Sequence, residues 1–269
     1  DTIYILNGAV YVQDGQTLTI EPGTVIKGRP SPTNGDDIST LIVARGGTIN
    51  ANGNATDPII FTTEIDDVSD PNDLAGAQLR GQWGGVIILG AATTNTSANP
   101  DNNIEGIPLT EARGLYGGDN DADNSGTFRY VSIRHGGQDI GAGNEINGLT
   151  MGAVGSGTTI DHVEVIYNQD DAFEWFGGTV NTSHLVAAYC GDDGFDYDQG
   201  FRGQHQFWYC VQEPGVSGNG GEHDGGTDPE TAAPFSMPIV YNATYVSDPS
   251  LTTTLINMRD NAGGKYFNS

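Results

Sequence analysis

The chain has 269 residues, 36% of them hydrophobic and 40 of them glycine, and its 35 acidic side chains outnumber ten Lys plus Arg, giving a formal net charge of −25. Such a balance excludes nucleic acid, whose binding needs a cationic face to displace counterions, and anionic membrane surfaces; cations are the favoured small partners. Eleven Tyr, nine Phe and three Trp supply a core that a disordered polyanion lacks, and no run approaches the roughly 18 apolar residues needed for a transmembrane segment.

In chain order the apolar residues fall in short β-rich runs ended by Gly, Asn or Asp: TIYIL, VYV, TLTI, TVIKG, TLIVA, PIIFT, GVIIL, YVSI, HVEVI, HLVAA, QFWYC, IVYNATYV and TTTLIN. None keeps a 3.6-residue period over three turns with caps, so the expected fold is all-β with almost no helix. Residues 1–28 are expected to form an N-terminal cap and first rung, with 41–64 and 81–90 as the next rungs. The polar stretches 29–39, 65–80 and 91–126, the last a long acidic loop, are expected to leave the coil.

A repeat decides between hairpins and a solenoid. VEVIYNQDDAFEWFGG begins at Val163 and LVAAYCGDDGFDYDQG at Leu185, which sets Val165 beside Ala187, Tyr167 beside Tyr189, Asp170 beside Asp192 and Phe173 beside Phe195. FWYCVQE, read as the next coil, sets Tyr209 on Tyr189 and Cys210 on Cys190. A period of about 20 to 22 is one coil of a parallel β-helix, with rungs about 4.8 Å apart. The expectation is a single domain over 1–269, a single-stranded right-handed parallel β-helix whose C-terminal rung is incomplete; a hairpin sandwich is the competing arrangement.

Three segments carry stacked acids: DDAFEWFGGT (170–179), DDGFDYDQGF (192–201) and EHDGGT (222–227). On one register Glu174, Asp196 and Glu222 share a column, Trp175, Tyr197 and His223 the next, and Phe176, Asp198 and Asp224 the third. Gly178, Gly200 and Gly226 mark a corner that needs a small residue or positive φ. Asp170 over Asp192 and Asp171 over Asp193 form a second acidic strip. With Phe173 and Phe195 inward, alternation sends Glu174 and Asp196 to solvent. Stacked like charges repel, and three outcomes relieve this: solvation, a shared proton that raises one pKa and makes Asp170, Asp171, Asp192 or Asp193 catalytic, or a bound Ca²⁺. The interleaved aromatic and charged columns suggest glycan binding at Glu174, Trp175, Asp196, Tyr197, Asp198, Glu222, His223 and Asp224, with His223 the best group for proton transfer.

In DNDADNSG (119–126), Asp119, Asp121 and Asp123 recur at alternate positions ahead of Ser125. The pattern resembles D-x-D-x-D calcium loops but lacks the distal bidentate acid and flanking helices of an EF-hand. Cys190 and Cys210, read into one column, are expected to form a disulfide rather than stay free. His162 and His184, one period apart and both outward, are expected to stack, as polar ladders in solenoids do, and could bind a transition metal. Phosphate-binding loops, dinucleotide fingerprints, nucleophile elbows and zinc-protease helices do not occur.

TLTIEPGTVIKG, LIVARGG, WGGVIILG, RYVSIRHGG, DDAFEWFGGTVNT, GDDGFDYDQGFRG and GEHDGGT resemble a group of secreted right-handed β-helix proteins of Bacteroidetes-type bacteria. The resemblance implies a lipoprotein or a type IX secretion cargo on the outer cell surface, and further rungs or a protein partner beyond the C-terminal edge. Three functions follow: a non-catalytic, calcium-stabilised surface module binding glycans or a cell-envelope component; a polysaccharide lyase or inverting glycoside hydrolase using the stacked carboxylates; or a structural component of an outer-membrane-associated assembly. A lyase would need a base, for which Arg202 and Lys265 are the thin candidates.

Overall fold

The structure, a computed structural model, describes residues 3–70, 79–140, 145–216, 218–226, 229–249 and 254–269; most of the expected polar stretch 65–80 lies outside them. Its short β-branched runs pair in parallel with the strand one coil later rather than with their sequence neighbour. Ala9–Val12, Thr40–Val43, Val86–Leu89, Leu149–Gly152, Phe173–Phe176, Phe195–Asp198, Gly221–Asp224 and Ile256–Arg259 form one eight-stranded parallel sheet in that order. A twelve-stranded sheet runs from Ile3–Leu6 through Gly126–Arg134, Thr159–Ile166, Asn181–Ala188 and Gln204–Val211 to Lys265–Phe267. The chain alternates between these sheets, which is the winding of a right-handed parallel β-helix. Its first strands already belong to the coil, since Ile3–Leu6 pairs in parallel with Val25–Gly28. Among the described residues no α-helix occurs, and no helix is long and apolar enough to cross a membrane.

The core fills the coil because every second side chain points inward. Phe173, Trp175, Phe195, Phe201 and Trp208 are fully or almost fully buried, and the Trp175 ring lies 5.3 Å from both Phe201 and Trp208.

Two ring ladders mark the corners. In the long strands Arg129 pairs with Asp161 and Asp161 with Ser183, and pairing resumes at Val131, Val163 and Leu185. The skipped residues Tyr130, His162 and His184, with Phe207 one coil on, have φ of 49°, 51°, 54° and 60°. The left-handed residue interrupts the ladder, turns the strand and throws its side chain out, a conformation uncommon for bulky residues. Ring contacts along the column, stacked at 4.4 and 4.1 Å and tilted at 4.7 Å, offset part of that strain. His135, Tyr167 and Tyr189, directly after the ends of these strands, are also left-handed, at φ of 61°, 55° and 58°, and stack in turn, with His135 fully buried.

Two expectations change. The 91–126 excursion folds back on the eight-stranded sheet: Ile104, Ile107 and Tyr116 pack with Ile87, Leu89 and Phe176 as a second apolar cluster. Burying those large side chains outweighs solvating the loop's acids. The disulfide is also corrected, because the coil that holds the two cysteines is longer than the dipeptide match implies. Thr182 pairs with His205, which sets Cys210 beside Ala187 and Tyr209 beside Val186; the shared Tyr-Cys dipeptide misleads the sequence register. Both cysteines are buried and free, and burial pushes the Cys190 thiol up to about 12. Unfolding without reductant is expected to expose two thiols to maleimide, and a chain labelling at neither would contradict this arrangement.

The glycine corner is as expected at Gly178 and Gly200, with φ of +86° and +83°. A Cβ on Gly178 would stand 2.6 Å from the Val154 carbonyl oxygen. Gly178→Ala is expected to cost about 2 kcal/mol in urea unfolding, whereas an unchanged midpoint would show that the corner relaxes freely.

Candidate carboxylate and cation site

Asp170 and Asp171 precede the strand Phe173–Phe176, and Asp192 and Asp193 precede Phe195–Asp198. Pairing of Phe173 with Phe195 and Glu174 with Asp196 brings these six carboxylates onto one side of the coil. That side is roofed rather than solvated, which corrects the exposed positions expected for Glu174 and Asp196. Asn147 Nδ2 donates to Glu105 Oε1 at 2.9 Å and to Glu174 Oε2, tying the 91–126 excursion over the strip. Asp171, Glu174, Asp193 and Asp196 keep 8%, 8%, 3% and 9% of their surface exposed, while Asp192 is open to solvent.

Five of these acids form two overlapping triads that share Asp171. One oxygen each from Asp170, Asp171 and Asp192 lie within 4.8 Å of one another, as do oxygens from Asp171, Glu174 and Asp196. Among the described residues no Lys or Arg forms an ion pair with any of the six: Arg80, Arg202 and Arg259 bind Glu213, Asp121, and Asp224 with Glu222. Burial, then the charge and hydrogen bond of Glu145, raises Asp170 to about 8. Burial raises Asp193 to about 7, opposed by the Asn219 backbone N–H. Asp171, Glu174 and Asp196 lie well above the usual carboxylate range, first because they are buried and then because of neighbouring acids: Asp196 beside Asp171, Glu105 beside Glu174 and Asp193 beside Asp196.

Neutral oxygens complete the lining. Asn147 Oδ1 and Thr150 Oγ1, on side chains of fully buried residues, have no hydrogen-bond partner, nor has Asp196 Oδ1. Thr150 sits beside Glu174 in the register. Orphaned acceptors next to uncompensated carboxylates are costly unless protons or a cation satisfy them. An all-oxygen donor set of this kind fits a hard cation such as Ca²⁺, which takes six to eight oxygens.

The family model of the pectate-lyase-like β-helix domain matches residues 1–269. The chain belongs to that β-helix family. Comparison with curated proteins and with solved structures finds no match.

Within this family member the expected site residues divide. Trp175, Tyr197 and His223 share their expected column but are fully buried inside the coil, so no sugar can stack on them. Alternation places them inward with Phe173. Burial pushes His223 down to about 3; its Nδ1–H donates to its neighbour's carbonyl, at Glu222, and Nε2 accepts from Tyr266 Oη. It is not poised for proton transfer at neutral pH. Glu222 and Asp224 are engaged by Arg259 at 2.6 Å, and Asp198 accepts from the Gln199 backbone N–H.

The 119–126 acids do not form a group convergent enough to hold a metal among the described residues. Asp121 binds Arg202 and the Thr93 N–H, Asp123 accepts from the Ala91 N–H, and the Ser125 backbone N–H donates to Thr158. Asp121 with Arg202 and Ser125 with Thr158 tie the excursion to the coil, while Asp121 and Asp123 close its own start, so the residues expected as a calcium loop, Asp119, Asp121, Asp123 and Ser125, are not gathered around one point among the described residues. Glu105, Asn147 and Thr150 escape sequence reasoning; extending the register one coil back, from Phe173 to Leu149, would have found the last two.

Proposed function

We propose that the chain is a calcium-stabilised β-helix module that binds glycans at the cell surface. The pair of overlapping oxygen triads carries this reading. The sealed triad of Asp171, Glu174 and Asp196 supplies a structural cation site. The triad of Asp170, Asp171 and Asp192 opens to solvent through Asp192, so its cation would keep positions for the hydroxyl or carboxylate oxygens of a sugar. Weak calcium sites of extracellular modules fill where calcium is millimolar, outside cells, which agrees with an exported protein. Calcium itself supplies charge neutralisation and an oxygen-binding site; the chain orients its ligands and excludes water from the sealed triad.

Calorimetric titration with neutral and uronic-acid oligosaccharides tests this. Binding is expected in millimolar Ca²⁺, lost in EGTA, and weakened at least tenfold by Asp170→Asn or Asp192→Asn. Binding indifferent to both changes, or no binding to either sugar class, would end the proposal.

A second reading, carbohydrate cleavage, draws on Asp170 and Asp193, raised to about 8 and 7, near the range useful for general acid–base work. Two observations weigh against it. Asp170 has one oxygen each of Asp171 and Asp192 within 4.8 Å, closer than the roughly 6.5–9.5 Å at which an inverting pair admits water, and Asp193 belongs to neither triad. Arg202, one of the two candidate lyase bases, is held by Asp121. New reducing ends or unsaturated products that vanish in Asp170→Asn would favour cleavage.

A further inference from the structure

On the opposite sheet, away from the acidic strip, the outward corner ladder brings two imidazoles and a carboxylate together. His162 Nδ1 lies 2.9 Å and His184 Nδ1 3.4 Å from Asp161 Oδ1, and the three coordinating atoms all fall within 4.8 Å of one another. His162 Nδ1 is shielded from solvent, yet it meets Asp161 off the line of a hydrogen bond. We propose that Asp161, His162 and His184 bind a divalent transition metal of the zinc, nickel or copper class.

The donor chemistry selects that class. Imidazole nitrogen suits zinc, copper and nickel, whereas calcium and magnesium prefer oxygen alone. Two nitrogens and one carboxylate make the three-ligand set that leaves further positions for water or a small ligand. Both imidazoles line a groove of about 410 Å³ together with Asn54, Tyr130, Arg134 and Phe207.

The surroundings hold the ligands close to one another. Tyr130 stacks on His162 at 4.4 Å and Phe207 meets His184 at 4.7 Å with its ring tilted by 31°, so an aromatic ring brackets each end of the imidazole pair. Ser183 Oγ donates to Asp161 Oδ1 at 2.5 Å, and Arg129 Nη2 stands 3.4 Å from Oδ2. Both orient the carboxylate, as outer partners of metal ligands do. The imidazole planes differ by 12°, so closing on a metal requires one ring to swing out of the stack. His184, whose side chain is 44% exposed, has room to do so. The Arg129 charge opposes the metal locally, while the net charge of −25 draws cations to the molecule as a whole.

Cobalt(II), whose visible absorption reports coordination, is titrated into the full chain saturated with Ca²⁺, and Zn²⁺ binding is followed by calorimetry. One Co²⁺ per chain is expected, with an affinity that falls at least tenfold in His184→Ala and in His162→Gln and is unchanged in Glu174→Gln. His184→Ala gives up ring contacts with His162 and Phe207 but no buried side chain, so it is expected to stay folded with at most a small fall in the metal-free melting temperature, and it decides the matter if His162→Gln fails to fold. Wild-type affinity in His184→Ala, loss of binding in Glu174→Gln instead, or no binding below millimolar metal would each overturn the assignment.

Discussion

Stripping divalent cations is expected to lower the melting temperature, and to lower it more at pH 8 than at pH 5. Asp170 and Asp193 are raised from the usual 3.8 to about 8 and about 7, so the folded, cation-free chain holds protons that the unfolded chain releases. Linkage then sets the sign: their contribution is fully present below about pH 4 and is lost as pH rises through about 7 to 8. Above that window the folded chain must carry these carboxylates ionised, beside Asp171 and its neighbours. A bound cation takes the place of the protons, so its stabilising effect grows with pH. A few kcal/mol corresponds to about 5–10 °C in a chain of this size. Scanning calorimetry in EGTA and in millimolar Ca²⁺ at the two pH values measures it. In Glu174→Gln with Asp196→Asn the cation response should shrink and the cation-free protein should melt higher at pH 8. Equal melting temperatures in EGTA and Ca²⁺ at both pH values would remove the cation from the account.

Trp175→Ala is expected to destabilise the coil by about 3–5 kcal/mol, the range for truncating a buried aromatic. Trp175 is fully buried and stacks on Phe201 and Trp208 at 5.3 Å each, and its neighbours in the coil are too constrained by their own strands to refill the space. Urea unfolding should show a lower midpoint. The same variant separates the inward position from the glycan platform that the aromatic columns suggest: a surface platform would lose sugar binding at unchanged stability, whereas a core residue loses stability first. An unchanged midpoint would contradict the packing described.

The winding was readable in the sequence because the side-chain period and the coil length both leave marks. Phe173 beside Phe195 and Glu174 beside Asp196 follow from matching segments one period apart, and the pairing bears this out. The Gly178 and Gly200 corner was readable because only certain residues tolerate its φ. The register failed where the coil changed length: the step from Thr182 to His205 outruns the one read from the dipeptide match, so Cys210 moves away from Cys190. The site was half readable. Its acids are periodic, but Glu105 reaches them from an excursion with no repeat to align.

The amino-acid order alone determined the parallel coil, the acidic columns and the outward histidine pair, since each depends on neighbours one turn apart and on alternation within a strand. Solvent exposure was decided only by tertiary structure. Whether Glu174 and Asp196 face water or a roof depends on how Ile104, Ile107 and Tyr116 bury themselves against the sheet, a contact between segments that share no period. That roof turns a solvated acidic strip into carboxylates that must hold protons or a cation.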